Sequence, residues 1–110
     1  MIAAARLCQI FGLFAALGMA VSPASAEDLA RGESLLRRHC AACHAVGAAD
    51  FPVHPTAPAF RVLGQRYAIE SLEEALAEGI MTGHAEMPEF QFDADDVGAI
   101  IAYLKSIQQR

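Results

Sequence analysis

Three stretches of this chain repeat apolar residues every three or four positions, and none shows the two-residue alternation of a strand. In the first, Leu29, Gly32, Leu36, His39, Cys40 and Cys43 share one face, which predicts a helix from about Asp28 to Ala42. In the second, Ser71 and Glu74 have the spacing of a capping box ahead of Leu72, Ala75 and Leu76. A helix from about Ser71 to Gly79 is expected, with the glycine at its C-terminal end. In the third, Asp93 and Asp96 form an N-terminal capping pair before Val97, Ile100, Ile101 and Leu104. Lys105 and Arg110 then complement the dipole of a helix reaching about Gln109. Between the first two helices, Pro52, Pro55 and Pro58 favour an extended loop, with room for a short helical turn from Phe60 to Gly64. The fold class is all-α, with three main helices joined by loops.

The segment before these helices has a different pattern. Arg6 is a thin positive region, Leu7 to Val21 is apolar, Pro23 breaks the run, and Ala24-Ser25-Ala26 is an A-x-A cleavage site. Residues 1–26 therefore read as a cleavable secretory signal, and residues 27–110 as one small domain. The rival is a retained membrane anchor, since Ile2 to Val21 is nearly long enough to span a bilayer. The interruption at Arg6 and the small residues at 24–26 favour removal, and no stable membrane insertion is expected afterwards. Cys8 would leave with the leader. Counted over the full chain, the net charge is −5, which argues against nucleic acid as a partner.

Cys40-Ala41-Ala42-Cys43-His44 carries the chemistry. Two thiols two residues apart, followed at once by a histidine, form a haem c attachment site. Each thiol adds across one porphyrin vinyl group, and His44 then offers an imidazole nitrogen to the iron. A zinc site would want a second ligand pair at motif spacing, and no cysteine follows Cys43. A redox CxxC would want a βαβ setting, and these flanks read as helical. Covalent attachment in bacteria takes place outside the cytoplasmic membrane, so export places a bacterial chain in the periplasm. A domain this small buries a limited core, and one haem bonded to Cys40 and Cys43 would act as its staple. The haem-free chain is expected to be largely unfolded or molten.

Candidates for the sixth iron ligand are Met81, Met87, His39, His54 and His84. Met87 is the best, because it precedes Pro88 in a loop between two helices and is followed by Phe90 and Phe92, which can wall a haem. Met81 reads as packing just past a helix end, and His39 adjoins Cys40 too closely to reach across a ring. His84 is the main rival, and an open sixth position is the other alternative. Glu70, Glu74 and Glu78 read as a solvated helix face. Arg37 and Arg38, just before the motif, are expected to form a basic docking end.

The sequence as a whole resembles the small bacterial class I monohaem cytochromes c. The resemblance rests on Gly32 and Leu36 before the motif, on Cys40 to His44, on Ala57-Pro58-Ala59-Phe60, on Met87-Pro88 and on Ile100 to Lys105. It implies a cytochrome c-like fold in which the first and last helices cross near Gly32 and Tyr103. It also implies that the Pro58 carbonyl accepts a hydrogen bond from His44 Nδ1, fixing the imidazole. With both axial positions filled by His44 and Met87, the expected function is low-spin, one-electron transfer between redox protein partners. Such a protein is a monomer and not an enzyme. The alternatives are a haem subunit of a larger dehydrogenase or oxidase, and a gas-binding or peroxide-reacting haem protein. The acidic surface departs from the lysine-rich mitochondrial members, so their docking surface does not carry over.

Overall fold

A computed structural model describes residues 12, 15–20 and 22–110. The leader expected over residues 1–26, with Cys8, lies for the most part outside these. The described residues form three α-helices and no strand: α1 (Ala26–His39), α2 (Leu72–Glu78) and α3 (Ala94–Ile107). Two 3-10 turns, Phe60–Gln65 and Ile69–Ser71, lie between α1 and α2. No helix among them is long and apolar enough to cross a membrane.

Helix α1 starts two residues before the expected Asp28. Ser25 is its N-cap, with the Ser25 hydroxyl accepting from Asp28 N–H at 3.1 Å and the Asp28 carboxylate accepting from Ser25 N–H at 3.3 Å. It ends at His39, short of the expected Ala42. The attachment motif is instead a tight turn, in which the N–H groups of Cys43 and His44 both donate to the Cys40 carbonyl. The turn swings His44 off the helix axis.

The capping box expected at Ser71 and Glu74 does not form. Ser71 has φ −66° and ψ −12°, already helical, because α2 grows directly out of the preceding 3-10 turn. A helical residue cannot aim its hydroxyl forward at the next turn, and Ser71 donates backward to the Ala68 carbonyl at 2.7 Å. Gly79 does end α2, with φ 118°. Helix α3 is capped by Asp93, which accepts from Asp96 N–H at 3.0 Å. It stops at Ile107, before the expected Gln109, because Gln108 and Gln109 turn back onto the first 3-10 turn. Gln108 accepts from Gly64 N–H at 2.7 Å, Gln108 Nε2 donates to the Phe60 carbonyl at 2.8 Å, and Gln109 N–H donates to the Arg61 carbonyl at 2.7 Å.

Helices α1 and α3 cross where Gly32 lies on Ala99 and Tyr103. A Cβ on Gly32 would sit 2.7 Å from the Ala99 carbonyl carbon and 2.9 Å from Tyr103 Cβ, so only glycine lets the two backbones approach this closely. Arg31 and Asp96 pair across the same crossing. The core is built on Leu36, Val46, Ile100, Tyr103 and Leu104, with Leu76 of α2 and Phe60, Leu63 and Ile69 of the two 3-10 turns completing it. Tyr103 donates its hydroxyl to the Val46 carbonyl at 3.0 Å, tying α3 to the residues that follow the motif.

Candidate haem site

A cavity of about 860 Å³ opens between the motif turn, the first 3-10 turn, α2 and the loop before α3. This falls within the range of roughly 300–1,000 Å³ for small-molecule and cofactor pockets. Cys40, Cys43, His44, Pro58 and Met87 all line it. Its walls are mostly apolar, with Leu63, Leu76 and Ile100 among them.

His44 is the most firmly placed of these groups. Its Nδ1 lies 2.8 Å from the Pro58 carbonyl oxygen. A carbonyl can only accept, so Nδ1 carries the proton and Nε2 keeps its lone pair. Phe60 stacks on the imidazole at 4.8 Å between ring centroids and 27° between planes. Phe60 N–H in turn donates to the Ala45 carbonyl at 3.0 Å, and Ala45 and Val46 are each only 1% exposed. The proline loop thus returns to the motif at two consecutive steps, and the imidazole plane is held from its rim and its face.

Cys40 and Cys43 carry free, partly buried thiols. Burial pushes the Cys40 thiol up to about 11, so it stays a neutral S–H at physiological pH. Both sulfurs line the cavity, where each would bond to one vinyl group of a haem held there.

The cavity also brings together every candidate for the sixth ligand, since Met81, Met87, His39, His54 and His84 all line it. Their surroundings separate them. Met87 is half-buried, whereas Met81 is 88% exposed and His84 is exposed. His39 packs against Phe90 and Phe92, each at 5.4 Å between centroids. Both ring nitrogens of His54 are engaged, Nε2 with Glu86 at 2.7 Å and Nδ1 with Thr56.

Arg37 and Arg38, expected as a basic docking end, are both exposed. Arg37 binds Glu33 at 2.8 Å and Asp50 at 3.2 Å, so two carboxylates offset its charge, and neither arginine lines the cavity. The hydrogen bonds that Arg37 donates to Glu33 and Asp50 raise its pKa. The permanent cation at the cavity is Arg66, and no acid pairs with it among the described residues. Sequence reasoning passed over Arg66. Its only signal was a lone base just after the Phe60 turn.

Two thiols, an imidazole with a free Nε2, a half-buried thioether, apolar walls and one guanidinium match the donor set and amphiphilic outline of a haem. Comparison with known proteins agrees. Residues 27–104 match the family described as cytochrome c oxidase, cbb3-type, subunit III. Cytochrome c-552 of Bradyrhizobium diazoefficiens is 31% identical over 96 residues, covering 87% of this chain and 90% of that protein. Cytochrome c6 of a Picosynechococcus species is 35% identical over 91 residues, covering 76% of each. No solved structure matches the chain. The chain belongs to the cytochrome c family, as a small monohaem c-type cytochrome with the all-α fold of that family and a covalently bound haem c. Its function lies in haem-based electron transfer.

Proposed function

We propose that this protein is a periplasmic one-electron carrier. Cys40 and Cys43 hold the haem covalently, and His44 and Met87 are the axial ligands. When bound, the haem supplies an iron centre that cycles between two oxidation states one electron apart. The observation that carries the reading is one cavity lined by both thiols, by His44 with Nδ1–H committed to Pro58, and by the half-buried Met87. The Pro58 carbonyl orients the imidazole and makes Nε2 a better donor. A thioether opposite histidine favours the reduced state relative to a second imidazole. Leu63, Leu76 and Ile100 keep water from the centre, which favours the less charged reduced form in the same direction. Arg66 supplies a counter-charge for the haem's carboxylates.

With protein donors in both axial positions no ligand need bind or leave, so little reorganises on electron transfer and no catalytic site is left open. Export is supported by Ala24-Ser25-Ala26 and by a family match that begins at residue 27. Cleavage there would take the Ser25 cap from α1 and leave Glu27 and Asp28 to stabilise its first turn against the helix dipole. The partners are redox proteins, and the carrier is a soluble monomer. A second reading, a haem subunit of a larger oxidase, is favoured by the description of the matching family.

Visible spectra of the periplasmically matured protein, with and without carbon monoxide, test the proposal. It requires a low-spin oxidised form with the weak far-red sulfur-to-iron band, and a reduced form inert to carbon monoxide. A high-spin spectrum or prompt carbon monoxide binding would overturn it. Co-purification with a catalytic subunit would favour the second reading.

A further inference from the structure

The stretch from Met81 to Glu86 is the least anchored part of the cavity wall. All six of its residues are exposed. It follows Gly79, at φ 118°, and contains Gly83, at φ 76°, beside which an added Cβ would meet nothing within 4 Å. Its other hydrogen bonds are local, from Met87 N–H to the His84 carbonyl and from His84 N–H to Thr82 Oγ1. Downstream of Met87 the chain is tied to its surroundings several times. Phe92 N–H donates to the Leu76 carbonyl at 2.9 Å, Gln91 Nε2 donates to the Glu78 carbonyl at 2.7 Å, and Phe90 and Phe92 lie on His39.

Among the described residues, one hydrogen bond joins the Met81–Glu86 stretch to another part of the chain. His54 Nε2 donates to Glu86 Oε2 at 2.7 Å. A carboxylate only accepts, so the proton sits on Nε2, and Nδ1 is then free to accept from Thr56 N–H at 3.3 Å. His54 is itself bolted to the attachment motif, since its N–H donates to the Cys43 carbonyl at 3.1 Å. Glu86 directly precedes Met87, and both members of the pair line the cavity.

We propose that His54 and Glu86 are positioning residues, a strap that fastens the Met87 loop to the attachment motif and limits how readily an outside donor displaces the Met87 sulfur. The inference rests on the reading of Met87 as the axial ligand. The strap links the two ligand-bearing segments by a route that does not pass through the α-helical core. Loss of the strap therefore releases Met87 without loosening His44.

The test is imidazole titration of the oxidised holoprotein, followed by loss of the far-red band. Glu86→Ala and His54→Ala should each tighten imidazole binding about fivefold, the scale of one exposed hydrogen bond. The double variant should go no further, and Glu86→Gln, which still accepts from Nε2, should stay near the wild type. Cleavage of the holoprotein within residues 81–86 by a nonspecific protease should speed up in the same alanine variants. Unchanged imidazole affinity in both alanine variants, or additive effects in the double, would overturn the strap. A wild-type protein with no far-red band would overturn Met87 ligation itself, which separates the two failures.

Discussion

The two sides of the haem cavity are built by different means. On the His44 side, backbone and core do the work. Ala45 and Val46 are buried, Phe60 and Tyr103 reach the residues next to His44 through hydrogen bonds, and Pro58 fixes the ring. On the Met87 side, residues 81–86 are exposed and, among the described residues, joined to the rest of the chain by one side-chain hydrogen bond. Strong imidazole coordination needs a fixed ring orientation, which only a rigid frame supplies. A thioether on a flexible stem tolerates a looser one, and the iron itself can complete that wall.

The largest effect should come from removing the haem. Without the haem, the apolar walls of a cavity of about 860 Å³ lose their packing partner and face water, and a domain this small has little other core with which to compensate. A Cys40→Ala, Cys43→Ala chain should therefore show no cooperative unfolding by circular dichroism. A sharp transition would mean that the His44 side alone carries the fold. Gly32→Val comes next. It forces a side chain onto Ala99 and Tyr103 and should cost about 3 kcal/mol of holoprotein stability in urea, while leaving the far-red band intact in the folded fraction.

Tyr103→Phe leaves the buried Val46 carbonyl without its partner and should cost about 1–2 kcal/mol in the same measurement. The smallest effect should be Asp50→Ala. The Gly47 N–H and Arg37 hold the Asp50 carboxylate below the usual carboxylate range. Its contribution is therefore complete above that range and is lost as pH falls through the lowered value. Thermal midpoints of wild type and variant should differ slightly at neutral pH and converge in acid. A gap that persists in strong acid would show that Asp50 does not act through its charge.

Legibility in the sequence followed the same division. The motif and the loop around Met87 could be read because each depends on residues close in sequence, while the Gly32 crossing was legible only through the family resemblance. The ends of the helices could not be read. Ser71 looked like a cap, but a 3-10 turn upstream had already set its backbone, and Gln108 left the helix for partners more than forty positions away. Arg37 looked like an exposed cation, while its acid partners Glu33 and Asp50 come from one helical turn earlier and from a loop beyond the motif. The roles of His39 and His54 were hidden for the same reason, since each meets a partner from the Met87 loop.

The closure of the Phe60 turn by Gln108 and Gln109 bears on the order in which such a protein can be made. The residues that receive the haem lie early in the chain, and those that lock the wall behind His44 lie far downstream. An emerging chain presents both thiols and the histidine in an unfinished pocket, open to whatever delivers the cofactor. The door shuts only once the downstream glutamines arrive, so loading can precede folding and folding can then seal what was loaded.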